Sequence, residues 1–193
     1  SGEKDSYGKY AYIKLNDELI LKVIDFLKSN KEYVEKGFDI AFEIGIQTCS
    51  RALAIATIPI SRIRQEGECY IIDVFEPKVK DNDRYLGMIG MWWRKYPSKN
   101  LFERIMALKD KYPNRELLFL DSPTLTHADR WLYGDRIHNG NREVMRIPNG
   151  FSDALKEAYK SIGITEPYFY TRAVHTLRHI GAHRLLRLTN YNY

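Results

Sequence analysis

"YTRAVHTLRHIGAHRLL", Tyr170 to Leu186, reads as one amphipathic helix that carries three histidines and three arginines. Val174, Leu177, Gly181, Leu185 and Leu188 recur at helical spacing and mark the apolar stripe by which it docks. His175 and Arg178 stand three residues apart, so they are neighbours on one face at the edge of that stripe. A His-x-x-Arg pair alone fits any solvated basic helix. The longer string of His175, Leu177, Arg178, His179, Ala182, Leu185 and Leu186 is far rarer, and the rest of the chain is read outward from it.

The surroundings of this helix are basic. Arg172, Arg178, Arg184 and Arg187 alternate with His175, His179 and His183, and no acidic residue occurs from Pro167 onward. The whole chain of 193 residues has a formal net charge of only +5, so the distribution says more than the total. A basic, acid-free surface suits a polyanion. The length suits one domain, residues 1–193, with 1–14 as a flexible leading segment. Hydrophobic residues make up 44% of the chain, enough for a real core, yet no run is long enough to cross a bilayer. Two cysteines, Cys49 and Cys69, are too few for a disulfide framework or a zinc site, which points to a reduced, intracellular setting.

The periodicity predicts a mainly helical α+β fold with a small antiparallel β-hairpin. Leu15–Asn30 is a helix capped by Asn16 or Asp17, with Leu19, Leu21, Ile24 and Leu27 on its apolar side. Lys31–Ala56 is read as a second, well-buried helix. "ECYIIDVFEP" (68–77) has strand composition, "KVKDND" (78–83) has turn chemistry, and "RYLGMIGMWW" (84–93) is the return strand. A helix over 98–112 presents Leu101, Ile105 and Leu108, and 116–122 is a strand or a core connection. Between Pro123 and Gly150 only a short helix around Ala128–Tyr133 is expected. Phe151–Gly163 is a capped helix ending at its glycine. The tryptophans and most tyrosines are assigned to the core and to the cover of the hairpin.

The string "HTLRHIGAHRLL" (175–186) closely resembles the second motif of the tyrosine recombinases, the family of phage integrases and Xer-type resolvases. Ile180 stands where that family often has threonine. Two further stretches resemble the family in the same order. "IGIQTCSRALAIATIPISRI" (44–63) matches the segment of the first arginine through Thr48 and Arg51, although Cys49 replaces a glycine and Ala54 or Ile55 stands where a glutamate is usual. "FEPKVKDNDRYLGMI" (75–89) resembles the lysine-bearing hairpin, with Lys78 as the catalytic lysine and Lys80 as the alternative.

The resemblance implies a recombinase catalytic domain that breaks and rejoins DNA. Arg51 and Arg178 would hold the scissile phosphate, His175 would assist at the phosphate or the nucleophile's proton, and Lys78 would protonate the departing 5′ oxygen. Lys80, Arg172, His179 and Arg184 would contact DNA. A tyrosine would attack and form a 3′-phosphotyrosyl intermediate, so neither metal nor nucleotide cofactor is implied. The expected partners are double-stranded DNA and further copies of the chain, as a dimer or tetramer on DNA. The setting is the cytoplasm of a host cell near its nucleoid, and a virus or mobile element is the expected source.

The family's third motif, a glycine with histidine or tryptophan ahead of the nucleophilic tyrosine, is not found after Gly181. Tyr191 and Tyr193 come too early to fill it, so the reading expects a chain that lacks the nucleophile segment and cuts DNA poorly by itself. The alternative is a degenerate DNA-binding module of the same fold. A third reading makes His175, His179 and His183, at i,i+4 spacing, a metal site.

Overall fold

The computed structural model describes residues 15–77, 90–138, 140, 144–147, 150–164 and 173–189. Its first helix, α1 (Asp17–Ser29), starts where Asn16 accepts a hydrogen bond from the Leu19 amide at 2.9 Å, which settles the cap on Asn16. The helix buries Ile20, Val23, Ile24 and Leu27. Leu21, read from spacing as part of that face, points outward.

The long second helix of the sequence reading is three helices: α2 (Lys31–Glu35), α3 (Phe38–Thr48) and α4 (Ala52–Ala56). Gly37 and Cys49 both take left-handed backbone conformations, with φ of 73° and 54°, and these break the run. Periodicity could not show the breaks because α3 is buried nearly all round, and even its polar stripe of Asp39, Glu43 and Gln47 is taken up by Arg104 and Ser98. The helix is buried from Phe38 to Ile46 at all but one position, and it packs against α1, α2, α4 and two later helices, Lys99–Lys111 and Thr176–Leu188. Ring contacts of Phe38 with Trp131 and Phe151, at 5.5 Å between centroids, extend this core sideways.

A three-stranded antiparallel sheet of order β1-β2-β3 replaces the expected hairpin. β1 (Ile63–Glu66) was not anticipated; it pairs with β2 (Cys69–Pro77), which pairs in turn with β3 (Gly90–Lys95). Ile72 and Val74 of β2 lie buried toward the helices, and Asp73 on the other side gathers Arg62, Arg64 and Arg94 at 3.5, 2.9 and 3.8 Å. Of the tryptophans assigned to the core and to the cover of the hairpin, Trp131 lies in the core, while Trp92 and Trp93 lie on β3, 44% and 46% exposed, with Trp92 against Phe75 and Arg62.

The remaining elements follow the reading more closely. α5 (Lys99–Lys111) is capped by Ser98 and buries Leu101, Phe102, Ile105 and Leu108. Residues 116–122 form a core connection: Pro59 and Leu117 make an isolated bridge, and Leu118 donates to the Ile58 carbonyl at 2.9 Å. The weakly patterned stretch holds α6 (Leu125–Tyr133) and a small hairpin, β4 (Arg136–His138) with β5 (Val144–Arg146), which sequence did not reveal. α7 (Phe151–Ser161) starts at Gly150 without a side-chain cap, contrary to the expected capping residue, and its trailing Gly163 has φ of 85°. α8 (Thr176–Leu188) is the helix of the opening stretch.

Candidate active site

α8 crosses α3 at two glycines. A Cβ on Gly181 would lie 2.6 Å from the Ile46 carbonyl oxygen and 3.1 Å from both the Gly45 carbonyl oxygen and the Cys49 sulfur. A Cβ on Gly45 would lie 2.8 Å from a Leu177 methyl. With hydrogen in both places the backbones touch, and Arg178, one turn above Gly181, arrives beside the end of α3.

That end is a built turn. The Cys49 amide closes α3 on the Gly45 carbonyl at 3.0 Å. The Thr48 hydroxyl bonds the Ile44 carbonyl at 2.6 Å and lies 2.7 Å from the Ser50 hydroxyl, both side chains being buried. Arg51 then leaves in extended conformation and caps α4, its side chain 46% exposed. Its amide donates to Glu76 Oε1 at 3.1 Å, and its guanidinium lies 3.7 Å from Glu76 Oε2. Burial pushes the Cys49 thiol up, against the opposing pull of the positive charges of Lys95, Arg178 and Arg184. The α3–α4 turn thus sits in the field of two cations from α8 and one from β3.

Cys49 holds a left-handed conformation that a β-branched residue tolerates poorly. Cys49→Val is expected to cost about 1–2 kcal/mol in thermal unfolding. Cys49→Gly should keep wild-type stability or better it, and an equal loss in both variants would refute a backbone origin.

The start of α8 is fixed from α7. Tyr159, fully buried, places its hydroxyl 3.3 Å from both the Ala173 carbonyl oxygen and the Thr176 hydroxyl, and burial pushes its phenol strongly up. The Thr176 hydroxyl donates to the Ala173 carbonyl at 2.6 Å. His175 stands immediately before the first helical residue, half-buried, its ring 5.2 Å from that of His179 and edge-on to it.

Burial, and after it His175, His183 and Arg178, lowers the pKa of His179. A histidine with a depressed folded pKa takes up its proton more readily when unfolded, so the unfolded chain binds more protons below about pH 6.5. Stability from the neutral imidazole is complete above that pH and declines as pH falls toward the folded pKa. Thermal unfolding between pH 7 and 5 is expected to show this decline and to flatten in His179→Asn; an unchanged slope would remove His179 from the account.

Among the sequence-predicted site residues, Arg51 lies on the α3–α4 turn, His175 immediately before α8, Arg178 and His179 in its first turn and Arg184 in its second half. Lys78, Lys80 and Arg172 lie outside the described residues. The apolar stripe of α8 is corrected: Val174, Leu177, Ile180 and Gly181 are buried, whereas Leu185 and Leu188 are 55% and 61% exposed. The end of the helix is held to α1 by Arg187 and Asp17 at 2.9 Å. Glu76 and Lys95 were missed. Glu76 is 25 residues from Arg51, and only strand pairing brings Lys95 near, so no spacing signal could have found either.

Among the described residues, no three His, Cys, Asp or Glu side chains gather as metal ligands, so the three α8 histidines do not form such a group. A cleft of about 530 Å³ elsewhere, lined by Tyr112, Arg115, Arg130 and Trp131, shares no residue with this cluster. Its arginines are already paired, Arg115 with Asp121 at 3.0 Å and Arg130 with Asp135 at 2.6 Å. Nor is any described helix long and apolar enough to cross a membrane.

A small antiparallel three-stranded sheet against a helical body matches the fold of the tyrosine-recombinase catalytic domain. The chain is similar to XerH site-specific recombinase bound to palindromic difH substrate in a post-cleavage complex, at 18% identity and a TM-score of 0.61, over 97% of this chain and 46% of that one. The pre-cleavage complex of XerH with difH gives 17% identity and a TM-score of 0.57, over 96% and 48%. The chain therefore spans about half the length of the recombinases it matches. No protein-family model matches the sequence, and no curated protein matches it.

Proposed function

We propose that this chain is the catalytic region of a site-specific tyrosine recombinase, which cleaves and rejoins double-stranded DNA through a 3′-phosphotyrosyl intermediate. The observation that carries the reading is the glycine-to-glycine crossing of α3 and α8, which brings Arg178 to the turn that bears Arg51. Attack on a phosphodiester builds negative charge on the non-bridging oxygens of a five-coordinate phosphorus. Two guanidiniums meet that charge with forked donors that stay protonated. His175, at the rim of the same helix, donates to the phosphate or moves the proton of the attacking tyrosine. Lys78 protonates the departing 5′ oxygen, with Lys80 as the alternative. The phosphotyrosyl bond conserves the energy of the broken linkage, so rejoining reverses the same steps without a cofactor. Arg184, His179, Arg172 and Lys80 hold the flanking backbone. The nucleophile belongs to a glycine-led motif beyond the helix of the opening stretch, and neither Tyr191 nor Tyr193 is assigned to it.

The wider reading is a recombinase of a virus or mobile element, assembling as a dimer or tetramer on its site near the host nucleoid. A suicide duplex carrying the attachment site, incubated with the full-length protein in chelator, tests it. A covalent protein–DNA species is expected. Salt-sensitive binding without that species would leave a DNA-binding module that has lost catalysis.

A further inference from the structure

Arg51 has no carboxylate on its own helix: α4 reads Ala-Leu-Ala-Ile-Ala. Its acidic partner comes instead from the sheet. Along β2, Ile72 and Val74 point into the helical body, and strand alternation places Glu76 next on that same side, where the core gives out. The Glu76 side chain is 13% exposed. One carboxylate oxygen accepts the Arg51 amide at 3.1 Å. The other is buried, accepts no hydrogen bond among the described residues, and stays 3.7 Å from the Arg51 guanidinium. That is an ion pair too long for a hydrogen bond.

A cap on α4 would accept from amides inside its first turn, and α4 has no side-chain cap bond. Glu76 accepts from Arg51 itself, the residue that enters the helix. A plain salt bridge would use the guanidinium's donors, and this one does not. We propose that Glu76 is the positioning residue for Arg51: its Oε1 fixes the Arg51 backbone, while its Oε2, too distant for a hydrogen bond, leaves the guanidinium's donors for a phosphate. The proposal rests on the DNA reading above, and it couples the sheet to the first-motif turn.

The sign of the effect distinguishes this role from mere proximity. A bare negative charge beside a polyanion site opposes binding, so removing it strengthens binding. Removing a positioning group weakens it. With the full-length protein and a fluorescein-labelled duplex, Arg51→Ala and Glu76→Ala are each expected to weaken binding about tenfold, with the double variant within about twofold of either. Glu76→Gln, which keeps the acceptor, restores most of the affinity. Glu76→Asp keeps the charge but falls one methylene short, and it behaves like alanine. Tighter binding in Glu76→Ala, or losses that multiply in the double variant, overturns the proposal.

Hydrogen exchange at the Arg51 amide reads the same contact without DNA. It should quicken about tenfold in Glu76→Ala and stay slow in Glu76→Gln. If the wild-type protein binds no duplex, the DNA reading fails, and this exchange result alone decides whether Glu76 positions Arg51. Unchanged exchange in Glu76→Ala overturns the positioning role whatever the binding result.

Discussion

On the recombinase reading proposed above, Arg178→Ala in the full-length protein is expected to lower the rate of DNA strand cleavage about 10²- to 10³-fold, the usual cost of removing one donor from developing anionic charge. Binding weakens less, and the slope of log affinity against log salt falls by about one. The split follows from geometry. Arg178 is half-buried beside the Cys49 turn, where its field reaches the thiol, and most of the peripheral cations of α8 stay in place when it is removed. Arg178→Lys recovers little of the rate, since an ammonium offers a point charge where a fork is needed. Single-turnover cleavage on a suicide duplex, with anisotropy titrations at several salt concentrations, measures both quantities. A variant that cuts at the wild-type rate would take Arg178 out of the chemistry.

Gly181→Val gives the largest loss of stability. The new Cβ would meet the Ile46 carbonyl oxygen at 2.6 Å, a backbone atom that cannot rotate away, so α3 and α8 must part. Overpacking of this kind costs about 1–3 kcal/mol, and in a chain of this size each kcal/mol lowers the melting temperature by roughly 2–4 °C. The helix that moves carries Arg178, so on the recombinase reading DNA binding is expected to fall with stability. Gly45→Ala is the contrast. Its Cβ meets the Leu177 and Ile55 methyls at 2.8 and 3.2 Å, which can turn aside, and the Leu177 Cβ at 3.1 Å, which must give by a few tenths of an ångström but is no carbonyl. Calorimetry of the two variants should therefore differ clearly. Equal melting temperatures would mean that the crossing does not limit the approach of α8.

Legibility in the sequence followed the kind of signal each element carries. α1, α5 and α7 could be read because each alternates between an apolar and a polar face, and α8 because its motif around His175 and Arg178 is contiguous. The break at Cys49 was hidden by the near-complete burial of α3, although it shapes the turn that presents Arg51. β1 escaped because "IRQE" has no alternation of its own, and β4 and β5 because each spans three residues. The Leu185 and Leu188 error has the same root: spacing shows which residues share a face, but not how far a neighbouring helix extends to cover it.

By itself, then, the sequence determined the helical class, the presence of an antiparallel strand pair, and which residues of the opening helix carry charge. Local patterns suffice for those, since hydrophobic phase and contiguous motifs are properties of neighbours along the chain. The meeting of Arg178 with the Arg51 turn, the presence of Lys95 near them and the Glu76 carboxylate behind Arg51 were decided only by tertiary structure. Each depends on a close approach between segments far apart in sequence: two helices crossing at Gly45 and Gly181, and a strand aligned so that its last inward side chain reaches the start of α4.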